Sequence, residues 1–283
     1  MDDEKQFDIA VLLPTRGRTD ALKRSVISLV NRAVNLKKVQ ILFGFDDDDA
    51  VGVEYFTNSL KPELDKRNVN YRAISFERMG YARLNEYANG LAEYSSAHWF
   101  FLFNDDAIMD TAGWDREITK YNGQFKLLAV HTHRDHPYSI FPIIPWEWYD
   151  VTKCISRHQM SDAYLSQLAF KLDIWQRINI HVTHDRFDLT GNNKDATYNE
   201  RVMFEGKPNE SSDFHHPSQI LHRMNTCEQM SKYMKKIGLD TTWWENVKTG
   251  KQDPWTKLKI ADVNNQMVQF NMKFEGEPKV KLS

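Results

Sequence analysis

The 283-residue chain predicts an α/β fold built from parallel βαβ units, on three observations. Short apolar segments of strand length alternate with amphipathic helical stretches through the first half of the chain, the pattern that places helices against a parallel sheet with right-handed crossovers. One of these segments, residues 99–103, is apolar on both faces and too short for an independent helix, as a strand inside a sheet requires. Three segments also stop abruptly at charge: Pro14-Thr15-Arg16-Gly17-Arg18, Asp46-Asp47-Asp48-Asp49 and Asn104-Asp105-Asp106. Ligands bind beyond the carboxyl ends of such strands, so Arg16, Asp46, Arg83 and Asp106 are expected together on one edge.

In chain order, residues 8–13 form the first strand, and Thr19 or Asp20 caps an amphipathic helix to about residue 34. Residues 39–45 and 70–74 supply the next two strands. Gly80-Tyr81-Ala82-Arg83-Leu84-Asn85 opens a helix to about residue 92, and a further helix is expected over 112–120. Residues 126–131 and 178–186 read as later strands, with a helix at 161–169 between them. Residues 140–149, holding Pro142, Pro145, Trp146 and Trp148, read as an aromatic loop, either a surface that stacks on a sugar or base or a packed lid. The character changes near Arg201: 206–213 is linker-like, 217–237 is helical, Trp243, Trp244 and Trp255 sit among lysines and glycines, and 266–274 alternates apolar and polar residues. This divides the chain into a ligand-binding domain, 1–200, and a helical, tryptophan-containing extension, 201–283, expected to pack on it.

A formal net charge of -2 gives no whole-chain basic footprint for nucleic acid, although the extension carries a small excess of lysine and arginine that could receive an anionic polymer. Cys154 and Cys227 form no CxxC pair, so neither a zinc site nor a disulfide framework is indicated. No apolar run approaches the roughly 20 residues of a bilayer-crossing helix, and Met1 to Gln6 is polar, so a cytoplasmic protein without membrane insertion is expected. The first loop lacks both GxxxxGK[ST] and GxGxxG, so a nucleotide would have to be held some other way.

Adjacent carboxylates at a strand end suit a hard cation, Mn²⁺ or Mg²⁺, with room left for substrate phosphates; the alternative for Asp105 and Asp106 is a solvated turn or helix cap ahead of Asp110 and Thr111. Asp46 or Asp47 could accept from a base N–H or ribose hydroxyls, with Arg16 and Arg83 as planar donors, or the four-Asp run simply ends a strand in solvent, above all at Asp48 and Asp49. His131, His133 and His136 are close enough for a metal but also fit alternating strand residues, and a structural or acceptor-side role is expected. Asp162, at a helix start, reads as a cap or a partner of the helix dipole.

These pieces, in this order, resemble the signature of family 2-like glycosyltransferases: Pro14-Thr15-Arg16-Gly17-Arg18 after the first strand, Asp46-Asp47 after the second, Gly80 to Asn85 at a helix start, and Asn104-Asp105-Asp106 after a hydrophobic strand. The likeness covers roughly the first two thirds of the chain. It implies the GT-A fold, a Rossmann-like mixed sheet flanked by helices, here with a helical C-terminal extension. It further implies that Pro14, Thr15, Arg16 and Asp47 help form the nucleotide site, that Asp46 takes the base, that Gly80 and Arg83 support the nucleoside, that Asp105, after Asn104, lies near ribose or sugar, and that Asp106 ligates Mn²⁺ or Mg²⁺. A late histidine serves many relatives as a metal ligand, which points to His184. An acid at the start of the helix after the metal strand is the base of an inverting reaction, which points to Asp162, with Asp150 and Asp173 behind it. Asn104 departs from the aspartate that many members carry.

The resemblance implies transfer from a nucleoside diphosphate sugar, UDP-linked by family likeness, to a hydroxyl of a glycan or of a hydroxymethylated pyrimidine in DNA. Residues 190–195 resemble loops of phage-encoded members that could close over the diphosphate, which would put the protein in a host cytoplasm. The rivals are a nucleotidyltransferase, for which Arg16-Gly17-Arg18 is a poor phosphate loop, and a sugar- or nucleic-acid-binding module with a degenerate site, which Asn104 favours.

Overall fold

The computed structural model describes residues 5–132, 138–192, 194, 196–205, 213–254, 259–261 and 267–269. The most apolar segments form the centre of the sheet: β1 (Phe7–Thr15) lies parallel between β2 (Val39–Asp46) and β4 (Ala97–Leu102), and the more polar β3 (Asn70–Phe76) lies parallel on the outer side of β2. Beyond β4 the sheet turns mixed. β5 (Ala107–Met109), β6 (Leu127–Thr132), β7 (Ile143–Pro145) and β8 (Trp175–His184) complete the order β3-β2-β1-β4-β7-β6-β8-β5, with β7 antiparallel to both neighbours and β5 antiparallel to β8.

Side chains alternate across a strand, and that alternation makes two cores. Ile9, Val11, Leu13, Ile41, Phe43, Trp99 and Phe101 point to one face. There they meet α1 (Thr19–Arg32), the run α2 (Ala50–Tyr55), π-turn Phe56–Leu60 and α3 (Lys61–Lys66), and α5 (Trp114–Thr119). Ala10, Leu12, Leu42 and Phe100 point to the other face, against α4 (Leu84–Ala92), α6 (Trp146–Thr152) and α7 (Ser161–Leu172).

After β8 come α8 (Phe187–Thr190), α9 (Ala196–Glu205), the 20-residue α10 (Pro217–Lys236) and α11 (Thr242–Lys248), then the antiparallel pair β9 (Lys259–Ala261) and β10 (Met267–Gln269). Phe214, Cys227, Met230, Met234 and Trp244 are buried in the same cluster as α6 and α7. Helix α9 runs across residues 200 and 201, where the composition changes. Among the described residues no helix is long and apolar enough to cross a membrane.

Three expectations are corrected. Neither Thr19 nor Asp20 caps α1: the helix begins at Thr19, with Arg18 as N-cap and no side-chain cap. Residues 140–149 are not a loop: they contain β7 and most of the first turns of α6, with Pro145 extended immediately before the helix, a place where its missing N–H costs nothing. Asp49 is not solvated: it is buried and caps α2 by accepting from Gly52 N at 3.0 Å and from Gly17 N at 2.9 Å. His133, His136, Asn193, Asp195 and Trp255 lie outside the described residues.

Candidate active site

The carboxyl ends of β1, β2 and β4 open onto two cavities, of about 130 and 260 Å³, whose walls share Pro14, Arg18, Tyr81, Leu84, Asn104 and Asp106. The smaller is also lined by Thr15, Arg16, Asp46, Gly80 and Asp105, the larger by Ser161, Asp162 and His184. The sheet therefore brings together most of the residues singled out from sequence. Asp47 and Arg83 line neither cavity: both are exposed, and Asp47 accepts from Arg78 N at 3.3 Å. Asp150 is ion-paired with Lys153 at 2.6 Å, and Asp173 sits just past the far end of α7, about 16 Å of helix away from Asp162.

Asp46 ends β2 buried, with one carboxylate oxygen taking Arg16 Nη1 at 2.8 Å and the other taking the Tyr87 hydroxyl from α4. Burial, and then hydrogen bonding to Asp46, push the Tyr87 hydroxyl up to about 12. Arg16 also holds exposed Asp48, whose carboxyl is drawn below the usual range by that guanidinium. Arg78 continues the chain of charge from Asp48 at 3.6 Å to Glu200 on α9 at 3.3 Å. Glu200 accepts from Tyr81 N at 3.1 Å, and a Cβ on Gly80, whose φ is +66°, would fall 2.6 Å from its Oε1. Tyr198 and Arg201, from the same helix, line the larger cavity.

Asp105 and Asp106 follow β4 and are 5% and 4% exposed. Thr15 Oγ1 donates to Asp105 Oδ2 at 2.9 Å, and Arg18 Nη1 bridges Asp105 Oδ1 and Asp106 Oδ2, each at 3.1 Å. Burial raises Asp105 to about 6 against the pull of Arg18, with the Asp106 charge adding to the rise. Burial also works against ionised Asp106, but His184 and Arg18 outweigh it and hold that carboxyl below its ordinary range.

His184 arrives through strand pairing: Ala107 of β5 lies opposite His184 of β8, and Asp185 N donates to the Asp106 carbonyl at 2.7 Å. His184 Nε2 stands 3.4 Å from Asp106 Oδ1, a buried oxygen without a hydrogen bond. No cluster of three or more His, Cys, Asp or Glu side chains suited to a metal occurs among the described residues. An O/N pair with one orphaned buried carboxylate oxygen nonetheless fits a divalent cation that completes its shell with substrate oxygens. Asp185 itself is tied to Arg24, Thr190 and Asn192, at 3.0, 2.6 and 2.8 Å, which anchors Thr190 and Asn192, at the start of the segment expected to close over a ligand, to the residue after His184. His131 stacks on His181 at 4.8 Å between centroids, away from the residues that line the cavities.

Asp162 occupies the second position of α7, after Met160 as N-cap, and its Oδ1 accepts from Ala163 N at 2.8 Å. It is therefore not the cap, and it faces the same cavity as Asp106 and His184. Sequence reasoning passed over Arg18, Tyr87 and Glu200. Arg18 stood inside the first loop motif with the right charge. Tyr87 lies one helical turn beyond Arg83. Glu200 carries no local signal, because its partners are more than a hundred residues away in sequence.

No protein-family profile matches the sequence, and no curated protein does. Solved structures do match by shape. The mannosyltransferase PcManGT from Pyrobaculum calidifontis, in complex with GDP-Man and Mn²⁺, superposes with a TM-score of 0.54 at 8% identity, over 86% of this chain and 79% of that one. S. aureus TarS 1-349 in complex with UDP-GlcNAc gives 0.51 at 8% identity, over 87% and 76%. At such identities the likeness is one of fold, and together with the mixed eight-stranded sheet and its flanking helices it identifies the architecture as GT-A.

Proposed function

We propose that the protein is a metal-dependent, inverting glycosyltransferase that moves a sugar from a nucleoside diphosphate sugar, UDP-linked by preference, to an acceptor hydroxyl. The observation that supports this most is the meeting of Asp46, Asp105, Asp106, His184 and Asp162 around two cavities with shared walls, in the fold of enzymes solved with GDP-Man and UDP-GlcNAc. Asp46, with both oxygens fixed by Arg16 and Tyr87, faces the nucleoside, and Asp105 lies toward ribose and sugar. Asp106 and His184 would hold Mn²⁺ or Mg²⁺, which when bound supplies Lewis-acid neutralisation of the charge developing on the departing diphosphate. Asp162 takes the proton of the acceptor hydroxyl as its oxygen bonds to the anomeric carbon and the bond to the diphosphate breaks. The acceptor is a glycan or a hydroxymethylated pyrimidine in DNA, which transfer assays on both would separate.

The test is thermal unfolding with UDP-, GDP-, CMP- and TDP-sugars, each with Mn²⁺ and with EDTA. The expected outcome is a Mn²⁺-dependent rise with one donor class, about 2.7 kcal/mol at a hundredfold excess over Kd, lost in Asp106→Ala. No rise with any donor would overturn the reading in favour of a binding module with a degenerate site.

A further inference from the structure

We propose that Arg18 is an internal counter-ion that keeps the Asp105–Asp106 edge closed to a divalent cation until a nucleoside diphosphate takes over its guanidinium. The inference rests on the donor reading above and concerns how the site is protected before the donor arrives.

Three of the four carboxylate oxygens at this edge already accept hydrogen bonds. Thr15 Oγ1 occupies Asp105 Oδ2 at 2.9 Å, and Arg18 Nη1 reaches Asp105 Oδ1 and Asp106 Oδ2 at 3.1 Å each. Only Asp106 Oδ1 has no hydrogen bond, with His184 Nε2 at 3.4 Å. A cation entering here must bind one oxygen of a carboxylate whose other oxygen holds a fixed positive charge. Both acids are about 5% exposed and the Arg18 side chain 13%, so water screens that repulsion poorly.

Arg18 also lies on the wall common to both cavities, on the path a diphosphate must take between the Asp46 side and the Asp162 side. A guanidinium fork matches phosphate oxygens at least as well as carboxylates. Once phosphate engages it, the two acids lose their internal counter-charge and become a cation site. Donor and cation then reinforce each other, and linkage makes the reinforcement equal in both directions. Arg18 acts through the carboxylates and is a positioning residue.

The experiment is calorimetric titration of Mn²⁺ into the full chain, wild type and Arg18→Met, without nucleotide and with saturating UDP or GDP. Without nucleotide, Arg18→Met is expected to bind Mn²⁺ at least about tenfold more tightly than wild type, because one buried positive charge has gone. Nucleotide should then raise Mn²⁺ affinity by a larger factor in the wild type than in the variant. Arg18→Gln keeps hydrogen-bond donors for both acids without the charge, and should move in the same direction if the Met variant is misfolded by circular dichroism. Equal or weaker Mn²⁺ binding by the folded variants would overturn the proposal. If UDP or GDP binds the wild type yet leaves its Mn²⁺ affinity unchanged, release of Arg18 by the diphosphate is overturned; if neither binds at all, the donor reading is overturned.

Discussion

A carboxylate in the first turn of a helix serves either the helix or the chemistry beside it, and Asp162 can be made to reveal which. Asp162→Asn keeps the oxygen that accepts from Ala163 N, so folding and donor-induced stabilisation should be unchanged. Loss of a general base should lower transfer by about 10²- to 10⁴-fold in single-turnover assays, and normal transfer would remove Asp162 from the reaction. Asp46, Asp105 and Asp106 stood out in sequence because apolar strands stop there at charge, whereas His184 was singled out only through the family resemblance. Arg18 and Tyr87 were not legible in role, because a strand-end arginine does not reveal which acids it bridges and a helix tyrosine does not reveal that its hydroxyl reaches Asp46. The acids of residues 46–49 show the same limit. They are alike in sequence, yet Asp46 and Asp49 are buried while Asp47 and Asp48 are exposed.

At the scale of elements, α9 is joined to the carboxyl edge of the sheet by Glu200, and Gly80 makes that junction possible. Its φ of +66° and ψ of -177° belong to a region open essentially to glycine alone, and the space a Cβ would need is taken by the Glu200 carboxylate. Gly80→Ala should therefore cost about 1–3 kcal/mol by urea denaturation and speed amide exchange in α9, while α1 on the opposite face stays protected. Unaltered exchange in α9 would mean that Glu200 does not hold it. Among the helices that sequence reading missed, the α2 to α3 run and α6 were each hidden by local signals against a helix. The run α2 to α3 carries β-branched Val51 and Val53, Gly52 and Pro62, which argue locally against a helix. Its capping carboxylate, Asp49, and the π-turn that precedes Pro62 reconcile these residues with a helix. In α6 the aromatic residues and Pro145 spoke for a loop, although proline just before a helix is also a start signal.

For the whole molecule, the parallel half was legible because its central strands β1, β2 and β4 are largely apolar on both faces. The antiparallel insertions β5 and β7 were not, being only three residues each. The C-terminal helices share a buried cluster with α6 and α7, and Trp244 is fully buried there, donating to Glu228 at 3.1 Å. Trp244→Ala should cost about 3–5 kcal/mol and shift one cooperative urea transition as a whole. Two transitions, with only one of them shifted, would instead mean that residues 201–283 fold as a separate unit.

The β5–β8 ladder carries a consequence for how such a chain can vary. Asp106 and His184 are far apart in sequence, yet their spacing is set by the opposition of Ala107 and His184 across two strands. The connections among the elements between Met109 and Trp175 can lengthen or shorten without altering that spacing, provided β6 and β7 keep their places in the sheet and the β5–β8 ladder re-forms. A slip of one residue in β8 would instead present Thr183 or Asp185 to the acid. The site is thus tolerant of insertion in the loops of its long connection and intolerant of change in register, so those loops are free to diverge around a fixed pair.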